Sequence, residues 1–107
     1  MAFVKVARLS DVPEGELVAV EAGGVKVCLA RCEGEVYAFA DNCSHRDFPL
    51  SAGELDTEEC RVTCDWHGAE FDIRTGAALS LPATRPVPVY PCRVEDGDVL
   101  VDVPARA

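Results

Sequence analysis

The first forty residues have the hydrophobic pattern of short strands. The runs "AFVKVARL" and "ELVAVEA" alternate apolar and polar positions, which is the period of a β-strand with one buried face, and the runs "VKVCLARC" and "EVYAFA" flank a compact turn at Glu33-Gly34. The turn-forming pairs Gly23-Gly24 and Glu33-Gly34 separate the last three runs. Residues 16–40 are therefore predicted to form a β-meander.

The second half of the chain mixes shorter strands with polar and proline-rich segments. Residues 41–59 are rich in Asp, Asn, Ser, Gly and Glu and predict a loop with at most a short helical turn. Strand patterns return in "CRVTC" and "AEFDI", and a closing hairpin is predicted around Asp96-Gly97. Between them, the prolines of "LPATRPVPVYP" exclude a central strand. The fold class predicted is all-β, a small antiparallel domain with polar loops at 43–48 and 64–68.

Length and charge narrow the classes of function. A chain of 107 residues is expected to form a single domain. The formal net charge of −9 disfavours binding to nucleic acid or anionic lipid and suits a protein partner with a basic face. The N-terminal sequence shows no signal-peptide pattern, and no window approaches 18 apolar residues. We therefore expect a soluble cytoplasmic protein without a membrane partner.

Six cysteines are present, and without an export signal they suggest metal ligands or buried thiols rather than a disulfide framework. Four of them have no histidine nearby and are expected to be small buried residues: Cys28, Cys32, Cys60 and Cys92. A Cys28–Cys32 or a Cys60–Cys92 bridge stays open at this point.

The other two cysteines each stand next to one of the two histidines in the chain, as Cys43-x-His45 and Cys64-x-x-His67. Thiolates and imidazoles suit zinc or an iron–sulfur cluster, and they exclude calcium and magnesium at these four residues. Zinc fingers usually pair Cys with Cys and His with His, whereas here each pair is mixed. Mixed pairs on two loops can place both thiolates on one metal and both imidazoles on another, although structural zinc stays an alternative.

The segments "CSH" and "CDWHGAEFDIRTG" resemble the Rieske motif C-x-H…C-x-x-H-G. The resemblance implies a Rieske-type antiparallel β-sandwich over residues 1–107, with a small cluster-binding subdomain formed by two loops within about 41–85. It implies a [2Fe–2S] cluster in which Cys43 and Cys64 bind the inner iron and His45 and His67 bind the outer iron.

The resemblance also bears on the reduction potential. High-potential Rieske proteins of respiratory complexes carry a disulfide between the two loops and Ser and Tyr hydroxyls that donate to the sulfurs. The corresponding residues in this chain are Phe48, Trp66, Ala69 and Phe71. Without those hydroxyl donors the potential is expected at the low end of the Rieske range, about −150 to 0 mV.

The count of two histidines then restricts the function. If both bind the cluster, none remains for the mononuclear iron site of a ring-hydroxylating oxygenase. No G-x-G-x-x-G follows a strand, so the chain is not a flavin or dinucleotide reductase. The chain resembles the Rieske-type ferredoxins of ring-hydroxylating dioxygenase systems, which implies a one-electron carrier, not itself an enzyme, between a flavoprotein ferredoxin reductase and a terminal oxygenase. The alternatives are a small subunit of a cytoplasmic nitrite reductase, an iron–sulfur assembly protein, and a zinc-braced protein-binding module.

Overall fold

The structure is a computed structural model that describes residues 3–41, 49–64, 69–79 and 86–103. Within these ranges the chain forms antiparallel strands arranged in three sheets. The strands are β1 (Val4–Arg8), β2 (Leu17–Ala22), β3 (Val25–Cys32), β4 (Glu35–Ala40), β5 (Glu54–Asp56), β6 (Arg61–Thr63), β7 (Glu70–Asp72), β8 (Val89–Tyr90), β9 (Cys92–Glu95) and β10 (Asp98–Val101). No helix in the described ranges is long and apolar enough to cross a membrane.

The central sheet has the strand order β2-β3-β4-β8 and contains the predicted meander. Glu33 and Gly34 both take positive φ angles, +54° and +81°, at the turn between β3 and β4. Such angles match the right-handed twist of the flanking strands in a two-residue hairpin. The short strand β8 lies at the edge of the sheet next to β4, where its flanking prolines, Pro88 and Pro91, interrupt no internal ladder.

The terminal sheet has the strand order β1-β10-β9. The hairpin between β9 and β10 turns at Asp96 and Gly97, with φ angles of +52° and +81°, as the sequence predicts. Strand β10 also pairs with β1, from the other end of the sequence. The alternation of side chains indicates that these segments are strands but carries no information on this long-range pairing.

The small sheet has the strand order β5-β6-β7 and corrects one prediction. A helical turn is present at Leu50–Ala52, but Glu54–Asp56 forms a strand inside the segment predicted as loop. The strand is three residues long and places Leu55 between two exposed acidic residues, so its composition resembles a polar loop. Its pairing with β6 supplies the hydrogen bonds that make it a strand.

Two apolar cores lie on opposite faces of β3. Val27 and Leu29 belong to the core shared with the terminal sheet, whereas Cys28 and Ala30 belong to the core shared with the small sheet. All four side chains are fully buried. Successive side chains of a strand point to opposite faces, so this one strand serves as a wall for both cores.

The structure also corrects the prediction for the cysteines. Cys32, the last residue of β3, forms a disulfide with Cys60, which directly precedes β6. The Cα atoms are 5.9 Å apart, and the bond joins the central sheet to the small sheet. Cys28 is a buried thiol as predicted, and the Cys92 thiol is partly buried. A Cys28–Cys32 bridge is ruled out by strand geometry, because four residues along a strand span about 13 Å.

Candidate metal centre

Of the four predicted ligands, Cys64 lies within the described residues, whereas Cys43, His45 and His67 lie outside them. The same holds for Phe48 and Trp66. The first motif is Cys43-x-His45 and the second is Cys64-x-x-His67. Cys64 and the residues that flank the two motifs show where each motif joins the described fold.

Cys64 follows β6 and is 1% exposed, within the core between the central and small sheets. Its backbone N–H donates a 2.6 Å hydrogen bond to the carbonyl oxygen of Ala69. The next ladder pair joins Thr63 to Glu70, the first residue of β7. Cys64, the first residue of the second motif, is therefore a buried residue at the end of the paired strands β6 and β7.

The first motif is flanked by Asp41, directly after β4, and by the helical turn at Leu50–Ala52. Leu50 is fully buried in the same core as Cys64. Gly53 then passes so close to Thr63 that a Cβ on Gly53 would lie 1.9 Å from the Thr63 carbonyl oxygen. This contact brings the segment after the first motif to the end of β6 that leads into the second motif.

The proline-rich segment begins at the same end of the small sheet. The N–H of Leu79 donates a 2.8 Å hydrogen bond to the carbonyl oxygen of Glu70. Val87, on the far side of that segment, is buried in the core that contains Cys64. Residues flanking the two motifs and the start of the proline-rich segment are thus gathered around one end of one small sheet.

Two buried positions near Cys64 bear on the potential. Ala69 and Phe71 are both fully buried in the core around Cys64. By the resemblance given under Sequence analysis, they correspond to the Ser and Tyr of high-potential Rieske proteins, and neither side chain here has a hydrogen-bond donor. The low potential stays a prediction, and both residues lie in the core that contains Cys64.

Charge on the small sheet and its turns is predominantly negative. Residues 49–64 and 69–79 contain six acidic residues and two arginines. Arg61 lies 3.6 Å from Glu70, and Arg74 lies 3.3 Å from Asp72. Burial tends to raise the pKa of Asp72, but hydrogen bonds from Arg74 and its positive charge outweigh this and hold the pKa below its ordinary value. The two arginines therefore pair with nearby carboxylates, and the small sheet and its turns keep a net negative charge.

One contact beside the first motif was not predicted from the sequence. Asp41 is 7% exposed, and its two carboxylate oxygens accept hydrogen bonds from the backbone N–H and the hydroxyl of Ser51. The only signal in the sequence is an Asp just before the motif and a Ser just after it, and such residues are common in any polar loop.

The donor set fits an iron–sulfur cluster. Cys64 offers a thiol from a dry core, which suits the sulfur-bound, inner side of a cluster, and the sequence places one imidazole beside each cysteine motif. The described residues form a small antiparallel β protein, and the donor types of the two motifs are those of an iron–sulfur protein.

Comparison with known proteins identifies the family. The Rieske [2Fe-2S] domain model matches residues 2–91. The ferredoxin subunit of 3-phenylpropionate/cinnamic acid dioxygenase from Escherichia coli is 43% identical over 96 residues, covering 90% of this chain and 89% of that protein. The chain belongs to the Rieske [2Fe–2S] domain family, which confirms the predicted fold class and the predicted [2Fe–2S] cofactor.

Solved structures agree with this assignment. The ferredoxin of carbazole 1,9a-dioxygenase from Nocardioides aromaticivorans IC177 has a TM-score of 0.91 at 34% identity, covering 94% of this chain and 97% of that one. A chain in the complex of reduced oxygenase and oxidized ferredoxin in carbazole 1,9a-dioxygenase has a TM-score of 0.85 at 33% identity, covering 92% and 91%. A nitrite reductase small subunit is similar at a TM-score of 0.83 and 20% identity, covering 96% and 100%, which shows a shared fold alone.

Proposed function

We propose that this chain is the ferredoxin component of a ring-hydroxylating dioxygenase system, a one-electron carrier that is not itself the catalyst. It would accept electrons from a flavoprotein reductase and deliver them to a terminal oxygenase, in the cytoplasm. Support comes from the ferredoxin relatives at 33–43% identity. The structural observation that carries the proposal is the gathering of both motif flanks at one end of the small sheet, with Cys64 buried beneath them.

The proposed ligands are Cys43 and Cys64 for the inner iron and His45 and His67 for the outer iron, within a cluster-binding region of about 41–85 in a single domain. When bound, the cluster supplies one reversible electron at a potential set by its ligands and their surroundings. Neutral imidazoles leave the cluster less negative than four thiolates would, and this makes the added electron easier to accept.

The chain's own residues would then control solvent and orientation. The core around Cys64 would exclude water from the thiolate side, and the Cys64 to Ala69 hydrogen bond joins the two residues that flank positions 65–68. The histidine side would face the partner, since the thiolate side is buried. If the histidine side is exposed, the outer iron would be the point of electron exchange.

The acidic surface suggests the polarity of the partner. With a net charge of −9 and both arginines of the small sheet facing carboxylates, the chain should associate fastest with a basic face on the reductase or the oxygenase. Raising the ionic strength should slow electron delivery, because long-range attraction is screened.

The ligand assignment can be tested with cysteine variants of the purified protein. We expect the wild type to be red-brown with about two irons and two acid-labile sulfides, and to give a low-g axial paramagnetic signal after reduction. Cys64→Ala should lose the signal, while Cys28→Ala and Cys92→Ala should keep it. A colourless zinc protein, or an unchanged signal in Cys64→Ala, would overturn the assignment.

The role as a carrier needs a separate assay. Cytochrome c serves as an electron acceptor, and NADH with a flavoprotein reductase of an aromatic dioxygenase system serves as the donor. The wild-type protein should increase the rate of cytochrome c reduction in proportion to its concentration, and His67→Cys should shift the midpoint potential downward. A wild type that carries the cluster but accepts no electrons from any reductase of this class would favour a sensing or assembly role.

A further inference from the structure

The residues that flank the first motif are joined to each other by a different kind of hydrogen bond from those that flank the second. The second is closed by backbone hydrogen bonds of the β6–β7 ladder and by the Cys64 to Ala69 bond. At the first, the N–H of Asp41 bonds instead to Lys26 on β3, and the N–H of Ala40 bonds to Pro88. Among the described hydrogen bonds, the two ends of the first segment are joined to each other through the side chain of Asp41.

The geometry of that side-chain contact is specific. Asp41 Oδ1 accepts from the backbone N–H of Ser51 at 2.7 Å, and Oδ2 accepts from the Ser51 hydroxyl at 2.8 Å. Ser51 lies in the helical turn Leu50–Ala52, whose preceding residue, Pro49, provides no side-chain cap. The carboxylate therefore satisfies an N–H that the turn leaves without an internal partner.

Both ends of this contact are anchored in the fold. Asp41 is fixed by its backbone bond to Lys26, and Ser51 follows Leu50, which is fully buried in the core that contains Cys64. Asp41 is buried, and a hydrogen bond away from water is electrostatically stronger than the same bond at the surface. The contact thus ties the end of the central sheet to the turn that leads into the small sheet.

We infer that Asp41 and Ser51 form a clasp that positions the first ligand segment, Cys43 and His45, for cluster binding. The inference rests on the ligand assignment proposed above. Neither Asp41 nor Ser51 is a proposed ligand; we expect the clasp to act by setting the distance between the two ends of the segment. Removing the clasp should weaken cluster binding and leave the two cores intact, because neither Asp41 nor Ser51 is part of them.

The fold offers a matched control far from the site. The Glu14 carboxylate also accepts two hydrogen bonds, from the backbone N–H groups of Glu33 and Gly34, both at 2.9 Å. These lie at the opposite end of β3 from Lys26, about 23 Å away along the strand. Glu14→Ala removes the same number of carboxylate hydrogen bonds without approaching the motif.

The experiment measures the rate of cluster loss to a chelator and the paramagnetic signal of the reduced cluster in the holoprotein. Asp41→Ala should lose the cluster about ten- to a hundredfold faster than Glu14→Ala and should broaden the signal. Asp41→Asn should restore both within about threefold, because its carbonyl oxygen can accept from the Ser51 N–H and its amide can donate to the Ser51 oxygen. The double variant Asp41→Ala/Ser51→Ala should be no worse than Asp41→Ala.

Several outcomes would overturn the clasp. One is a cluster-loaded Asp41→Ala that matches Glu14→Ala in release rate and signal, and another is Asn behaving as Ala does. If Asp41→Ala does not fold, Ser51→Ala decides, with an expected increase of about tenfold in release rate; a rate equal to wild type would reject the proposal. A wild type that holds no cluster would instead reject the proposed function, which keeps the two failures distinct.

Discussion

Removing the disulfide between Cys32 and Cys60 should destabilise the protein far more than removing an unbridged cysteine from the same core. The perturbation is Cys32→Ala or Cys60→Ala, alone and together, with Cys28→Ala as the control. All three cysteines lie in the core between the central and small sheets and are at most 3% exposed. The control therefore measures the cost of truncating a buried thiol without opening a cross-link.

The expected size follows from the sequence separation of 28 between the bridged residues. In the chain-entropy model, closing such a loop in the unfolded ensemble stabilises the folded protein by about 3.6 kcal/mol at 25 °C. For a chain of 107 residues the entropy of unfolding is about 0.22 kcal/mol/K near the midpoint. The loss therefore corresponds to a decrease in Tm of about 16 °C.

The assay is far-UV circular dichroism at one fixed heating rate, with the redox state of the cysteines verified by alkylation and mass spectrometry. Either single variant should show nearly the full decrease, and the double variant should add only the second truncation, because one substitution already opens the bond. A thiol-free reductant should lower the Tm of the wild type toward that of the double variant and leave the double variant unchanged. Single variants no less stable than Cys28→Ala would refute the reasoning.

Three further results are expected. Gly76→Ala should lower the free energy of unfolding, measured by urea denaturation, by about 2 kcal/mol more than Gly34→Ala does. Both glycines have a φ of +81°, but of the two only Gly76 would place a Cβ against backbone, 2.1 Å from the carbonyl oxygen of Val87. Equal costs would show that the chain there can shift. Ala69→Ser should raise the midpoint potential, measured by spectroelectrochemistry, by about 40 mV, because a hydroxyl that donates to a sulfur favours the reduced cluster by about 1 kcal/mol. An unchanged potential would mean that position 69 does not face the cluster. Burial raises the pKa of the Cys92 thiol to about 11, so its alkylation, followed by peptide mass spectrometry, should accelerate about tenfold per pH unit between pH 8 and 10; a rate that levels off near pH 9 would contradict the raised pKa.

The parts of the fold that the sequence predicts correctly are those decided by neighbouring residues. The turns at Glu33-Gly34 and Asp96-Gly97 require positive φ angles, and the residues there supply them. The pairing of β1 with β10 and the strand at Glu54–Asp56 depend instead on partners distant in sequence, and no local pattern encodes them. The Cys32–Cys60 bond was missed for the same reason.

In the candidate site, too, some features can be predicted from neighbouring residues and others depend on residues distant in sequence. The identity of the donor atoms can be predicted from Cys43-x-His45 and Cys64-x-x-His67 because the chemistry lies in the residue types and their spacing. The closure of the first segment by Asp41 cannot, because it depends on where β4 ends relative to a turn ten residues further on. The burial of Cys64 is consistent with its predicted place on the inner iron, and all four ligands stay predictions.

Strand β3 contributes side chains to both apolar cores, and this limits how the protein can be re-engineered. Grafting only the contiguous stretch from Asp41 to Leu79 onto an unrelated scaffold would leave behind Cys28, Ala30 and Cys32, which line the core beneath that stretch. A graft would therefore have to include β3 as well. The opposite face of β3, with Val27 and Leu29, is apolar, so the recipient scaffold would have to cover it. Designers should therefore vary partner specificity by exchanging surface residues on the intact protein rather than by moving the loops.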